Sequence, residues 1–174
     1  MFEYFNINEF DQFYEILEKS FPDTEVRPKN GQKSLFSNKE YKICGIRENG
    51  IIAGIAAIWE FDGFTFIEHL ATDPEKRNNK IGSRILSYII NESKGFVCLE
   101  VEPPVDELTR RRVGFYQRNG FHFNEYPYIQ PSIAEGRPAI PLFIMSSPSE
   151  IDEPTYNMIK AKIYQKVYNV KATD

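Results

Sequence analysis

The chain has 174 residues, 41% of them hydrophobic, with 14 phenylalanines and 10 tyrosines. That is enough for one domain with an aromatic-rich core. Its 25 acidic and 21 basic side chains leave a net charge of −4, which argues against the broad basic face that non-specific nucleic-acid binding requires.

No run approaches the ~20 apolar residues of a membrane span, and the opening MFEYFNINEFDQ lacks the basic-then-apolar layout of a signal peptide. Cys44 and Cys98 lie in apolar strand patterns and read as buried small hydrophobes in a reducing compartment. The expected setting is cytoplasmic, with neither nucleic acid nor membrane as a partner. With no C-x-x-C pair and only two histidines, no metal site is expected.

Phe2 to Ile7 alternates loosely and predicts a short strand. Asn8 is placed to cap a helix carrying Phe10, Phe13, Tyr14 and Leu17 at helical spacing, ending before Pro22. Phe21 to Lys39 is polar and interrupted, a loop with a helical turn or two. Tyr41 to Arg47 and Ile51 to Trp59 are strands about Glu48-Asn49-Gly50, a hairpin signal because Asn-Gly suits a left-handed turn. Asp62-Gly63 turns the chain into a third strand, Phe64 to Ala71. A helix over Ile81 to Asn91 and a strand over Phe96 to Val101 follow. Pro103-Pro104 stops that strand, and a helix from Asp106 or Glu107 runs through Arg118 to a stop at Asn119-Gly120. Strands over Phe121 to Ile129 and Ala139 to Ser146 come last.

The tail, Asp152 to Val170, carries Tyr156, Ile159, Ile163, Tyr164 and Val167 on one helical face. The expected fold is α+β, a mixed, mostly antiparallel sheet of six or seven strands flanked by helices, with that tail as an extra C-terminal helix. Residues 1–149 read as one domain, and 150–174 as an extension packed on it or on a second subunit, so the protein is expected as a monomer or a homodimer.

The stretch Leu70 to Leu86, LATDPEKRNNKIGSRIL, joins a strand end to a helix start through a basic, glycine-containing loop. The first N–H groups of a helix are unpaired and carry about half a positive charge. Arg77, Lys80 and Arg84 add full charges there, which together describe a phosphate cradle. The spacing is neither GxxxxGK[ST] nor GxGxxG.

Arg77-Asn78-Asn79-Lys80-Ile81-Gly82 resembles instead the Arg/Gln-x-x-Gly-x-Gly/Ala loop of the GNAT superfamily of acetyl-CoA-dependent N-acetyltransferases. Phe115-Tyr116-Gln117-Arg118-Asn119-Gly120-Phe121 is similar to that family's second signature, F-Y-x-x-x-G-F. The resemblance covers about Tyr41 to Phe123. It implies acetyl-CoA as co-substrate and no metal. It also implies a pyrophosphate held by Arg77, Asn78, Asn79, Lys80, Ile81, Gly82 and Ser83, and a pantetheine arm paired with the backbone of Leu70, Ala71 and Thr72. Two departures stand out. Lys80 replaces the first loop glycine, and Thr109 stands where the family often has a pantetheine-contacting Asn.

The chemistry implied is direct attack by an amine on the thioester in a ternary complex. Glu68 shares a strand face with Phe64, Phe66 and Leu70 by alternation. Desolvation there is expected to raise its pKa towards that of a general base, while His69 should point to the opposite face. Glu100 and Glu102 are second candidates, as bases or as anchors for a cationic amine. Tyr116 would protonate the departing thiolate, a role that the resemblance carries. The acceptor expected is the primary amine of a small molecule. The alternatives are a CoA-binding or sensing domain without activity, and transfer to protein N-termini or lysines.

Overall fold

A computed structural model describes residues 1–76 and 79–170. Contacts divide the chain after Gly95 into two compact units. Among the described residues there are seven strands and five α-helices.

In the first unit β1 (Phe2–Phe5), β2 (Tyr41–Glu48), β3 (Ile51–Phe61) and β4 (Phe64–Thr72) follow one another in space, each antiparallel to the next. The hairpin at Asn49-Gly50 forms as expected, with φ of 51° and 81°. β3 is buried from Ile52 to Trp59, so it is the spine of this unit. Helix α1 (Phe10–Ser20) lays Phe10, Phe13, Tyr14, Ile16 and Leu17 on the sheet. Its lead-in differs from expectation. Asn6, not Asn8, forms a capping box with Glu9 around a short 3-10 turn. The interrupted segment that follows contains helix α2 (Lys29–Ser34) and two further 3-10 turns. Helix α3 (Ile81–Glu92) buries Ile81, Ile85, Leu86 and Ile89.

The second unit has β5 (Phe96–Val101), β6 (His122–Gln130) and β7 (Ile140–Ser147) in the order β5-β7-β6, both pairs antiparallel. Helix α4 (Glu107–Arg118) opens on a capping box between Asp106 and Thr109 and closes at Gly120, whose φ of 87° needs glycine. Helix α5 (Glu153–Lys166) is capped by Asp152 and packs Tyr156, Ile159 and Ile163 inward. Phenol hydroxyls fasten it to β6. Tyr156 donates to the Pro127 carbonyl at 2.8 Å, Tyr164 to the Ile129 carbonyl, and Tyr126 back to the Ile151 carbonyl at 3.3 Å.

Candidate active site

The end of β4 and the start of α3 are brought together by a residue that sequence reasoning passed over. Gly54 on β3 pairs with Thr72, the last residue of β4. A methyl group on Gly54 would stand 2.4 Å from Ile81 Cγ2 and 3.2 Å from the Ala71 carbonyl oxygen. Only glycine lets the first turn of α3 approach the strand that closely. Its signal in the sequence is a glycine inside an otherwise unbroken apolar strand.

Asp73 then donates its N–H to the Ala53 carbonyl at 3.0 Å and accepts from the Glu75 N–H through its side chain. Lys80 precedes the helix in the left-handed conformation, φ 54° and ψ 25°. A side chain in that region costs about 1–2 kcal/mol, so the loop takes a glycine-like shape without glycine. The Lys80 side chain makes no capping hydrogen bond to α3. The first N–H groups of α3, from Ile81, Gly82 and Ser83, have no partner within the helix. Lys80 and Asn79 are exposed beside them. Arg84 pairs with Glu48 at 2.9 Å. Arg77 and Asn78 lie outside the described residues.

Glu68 sits where the β3–β4 register slips. Ala57 pairs with His69 and Ile58 with Ile67, leaving Glu68 as the extra residue of a bulge. The expected alternation therefore breaks. Glu68 reaches Arg27, and His69 reaches the Glu25 carbonyl at 2.7 Å and the ring of Phe21. The two side chains thus meet the same segment instead of opposite faces.

The Arg27 and Glu68 side chains are 9% and 2% exposed, and Trp59 Nε1–H donates to the second carboxylate oxygen at 2.9 Å. Burial pushes the Glu68 pKa up. The Arg27 charge, with the Trp59 and Arg27 hydrogen bonds, outweighs it and holds the group below the usual carboxylate range. The rise expected from aromatic surroundings is corrected by a guanidinium 41 residues away in sequence. Burial lowers the pKa of His69, against the pull of Glu68, so its ring is neutral and its Nε2–H donates to Glu25. Nearby, Gln32 Nε2 donates to the Tyr41 hydroxyl at 2.7 Å and Tyr14 to the Arg27 carbonyl at 3.0 Å. The segment from 21 to 37 is thereby pinned to β2, β3 and β4.

In the second unit the Phe115–Phe121 signature folds into a compact device. The N–H of Phe121 donates to the Tyr116 carbonyl at 3.1 Å, and the buried Phe121 ring meets the half-buried Tyr116 ring edge-on at 5.9 Å. Phe115 touches the same ring at 5.3 Å. Thr109 is buried, with its hydroxyl bonded to Asp106. The arginines after it are occupied locally. Arg110 donates to the Val105 carbonyl, Arg111 pairs with Glu107 and Arg112 with Glu102. Glu100 is held differently, by phenols. Tyr128 donates to its Oε1, and Tyr168 to Oε1 at 3.0 Å and Oε2 at 2.7 Å. The aromatic run after Gly120 splits. Phe121 is core, while Phe123 and Tyr126 line an open groove of about 640 Å³ with Val113, Gln117 and Glu125. Both thiols are buried, and burial pushes Cys44 up to about 12, which removes it as a nucleophile at neutral pH.

The sequence pattern of the Acetyltransferase (GNAT) family matches residues 10–121. The chain belongs to the GNAT family. A GNAT-family protein from Bacteroides thetaiotaomicron is 32% identical and superposes with a TM-score of 0.89, over 98% of this chain and 99% of that one. YjbC of Bacillus subtilis, described as an acetyltransferase, is 28% identical over 164 residues, 91% of this chain and 82% of that protein. The yncA protein of Salmonella typhimurium, solved with its cofactor acetyl-CoA, is 14% identical with a TM-score of 0.63, over 88% of this chain and 96% of that one. The α+β fold expected with six or seven strands and a C-terminal helix has seven strands and is the GNAT fold.

Proposed function

We propose that this GNAT protein transfers the acetyl group of acetyl-CoA to the primary amine of a small molecule by direct attack in a ternary complex. The left-handed Lys80 carries the reading. It opens α3 with N–H groups that have no partner within the helix and an adjacent ammonium, the chemistry that a pyrophosphate needs. Residues 77–83 would hold that pyrophosphate and the backbone of Leu70, Ala71 and Thr72 the pantetheine arm. The acetyl-CoA bound by the yncA protein agrees with this use of the fold.

The amine enters as an ammonium, whose pKa of about 10.4 for a lysine-like group makes deprotonation cost about 4–5 kcal/mol at neutral pH. Glu100 accepts that proton, its carboxylate oriented by two phenols. The free lone pair attacks the thioester carbon, and the C–S bond breaks as the amide forms. The nitrogen loses its second proton to solvent, and Tyr116 gives its phenolic proton to the thiolate and regains one from solvent. The balance is ammonium plus acetyl-CoA giving amide, CoA thiol and one proton. Glu68 remains an anion, and its contribution is to anchor Arg27 and the segment from 21 to 37.

The test is calorimetric titration with acetyl-CoA and with ATP, followed by thiol release with a panel of tyramine, spermidine, lysine and an alanine-starting peptide. Binding of acetyl-CoA alone and acetylation of a small amine are expected. Tyr116→Phe should lower kcat about 100-fold with unchanged acetyl-CoA affinity. A folded protein that ignores millimolar acetyl-CoA would sink the reading.

A further inference from the structure

Three tyrosine hydroxyls tie α5 and its end to the strands of the second unit, and a fourth, from Tyr128, joins β6 to β5; they do not all end on the same chemistry. Tyr156 and Tyr164 donate to backbone carbonyls of β6, which is stitching. Tyr128 and Tyr168 converge on the carboxylate of Glu100 on β5. We propose that Tyr128 and Tyr168 are positioning residues of the transfer reaction, so that the stretch just past α5 is a working part of the acceptor site. The proposal rests on the role given to Glu100 above.

The backbone around Tyr168 is built to deliver it. Tyr126 and Tyr156 stack at 4.7 Å and fix α5 on β6. Past the helix the N–H groups of Val167 and Tyr168 both return to the Ile163 carbonyl. Asn169 turns left-handed at φ 53°, and Val170 donates to the Tyr164 carbonyl. Tyr168 is consequently 8% exposed and Tyr128 2%, and side chains so enclosed hold one rotamer.

Burial and the Glu100 charge push the Tyr128 phenol well above its ordinary pKa, so it keeps its proton and remains a donor. Donors of this kind favour the anionic carboxylate and fix its plane. Tyr164 on α5 and Cys98 on β5 are among the titratable groups within electrostatic reach of Glu100. Burial raises both, so neither charges at working pH.

The experiment compares Tyr168→Phe with Tyr164→Phe, which removes a hydroxyl from the same helix end but from a backbone partner. Using the best amine of the panel, Tyr168→Phe should lower kcat/KM for the amine about tenfold, leave KM for acetyl-CoA unchanged, and move the acid limb of the pH profile upward. Tyr164→Phe should do none of these while costing a similar fall in Tm. Tyr128→Phe, if folded, should repeat the Tyr168 result. Identical kinetics for Tyr168→Phe and Tyr164→Phe would overturn the proposal. Wild-type activity in Glu100→Gln would instead overturn the reading it rests on, and a wild type that acetylates no panel amine overturns both.

Discussion

Glu68 and Glu100 are both partly enclosed strand glutamates, one in each compact unit, and their surroundings differ in kind. Glu68 is matched by a guanidinium and an indole N–H, both donors built into the same packed layer. Glu100 is matched by phenols, one of them delivered from beyond the last helix. A charge paired with a buried opposite charge is committed to structure, because moving its proton would strand the partner. Neutral donors also favour the anion, but a carboxylate that they orient strands no buried cation when it takes a proton. The difference teaches that a glutamate's function is written by side chains remote in sequence.

The sharpest way to break this contrast is Arg27→Met. It leaves Glu68 buried without its cation and should cost about 3–5 kcal/mol in urea unfolding, with the Glu68→Met double variant recovering most of it. A loss within error of zero would mean that the pair is not a structural lock. Next in size is Gly54→Ala. Overpacking against Ile81 should cost about 1–3 kcal/mol and weaken acetyl-CoA binding, read together by unfolding and titration. Equal affinity to wild type would show that α3 does not depend on the close approach.

The pH dependence sharpens the same comparison. His69 is neutral in the fold with its pKa lowered from 6.5, so stability is complete above pH 6.5. It falls below that by up to about 1.4 kcal/mol per pH unit as the unfolded state takes the proton first. Glu68, also lowered, adds a second fall below pH 4.5. His69→Gln should remove the first limb and keep the second. The smallest effect is Lys80→Gly. Relief of the left-handed strain, less the added freedom of the unfolded chain, should stabilise by about 0.5 kcal/mol. Acetyl-CoA binding should weaken a few-fold for want of the ammonium.

What the sequence made legible was local. Alternation, the Asn-Gly turn, Asp106 before an amphipathic run and the Gly120 stop each depend on neighbours within a few residues, and their elements formed within one or two positions of expectation. The two family signatures were legible for the same reason. The partners of the acidic residues were not. Period-2 reasoning put Glu68 and His69 on opposite faces, and one bulge residue cancels that inference. Arg27 lies in a segment readable only as loop, and Tyr168 lies 68 positions from the carboxylate it serves. The need for glycine at position 54 comes from Ile81, 27 residues further on, which packs directly over it.

The most direct test of the account is amine-dependent thiol release by Glu100→Gln and Glu68→Gln, measured side by side with unfolding. Glu100→Gln should keep its fold and acetyl-CoA affinity but lose kcat by about 100-fold. Glu68→Gln should lose stability and, while folded, keep kcat within a few-fold. The reverse pattern, a dead but stable Glu68→Gln beside an active Glu100→Gln, would contradict the account.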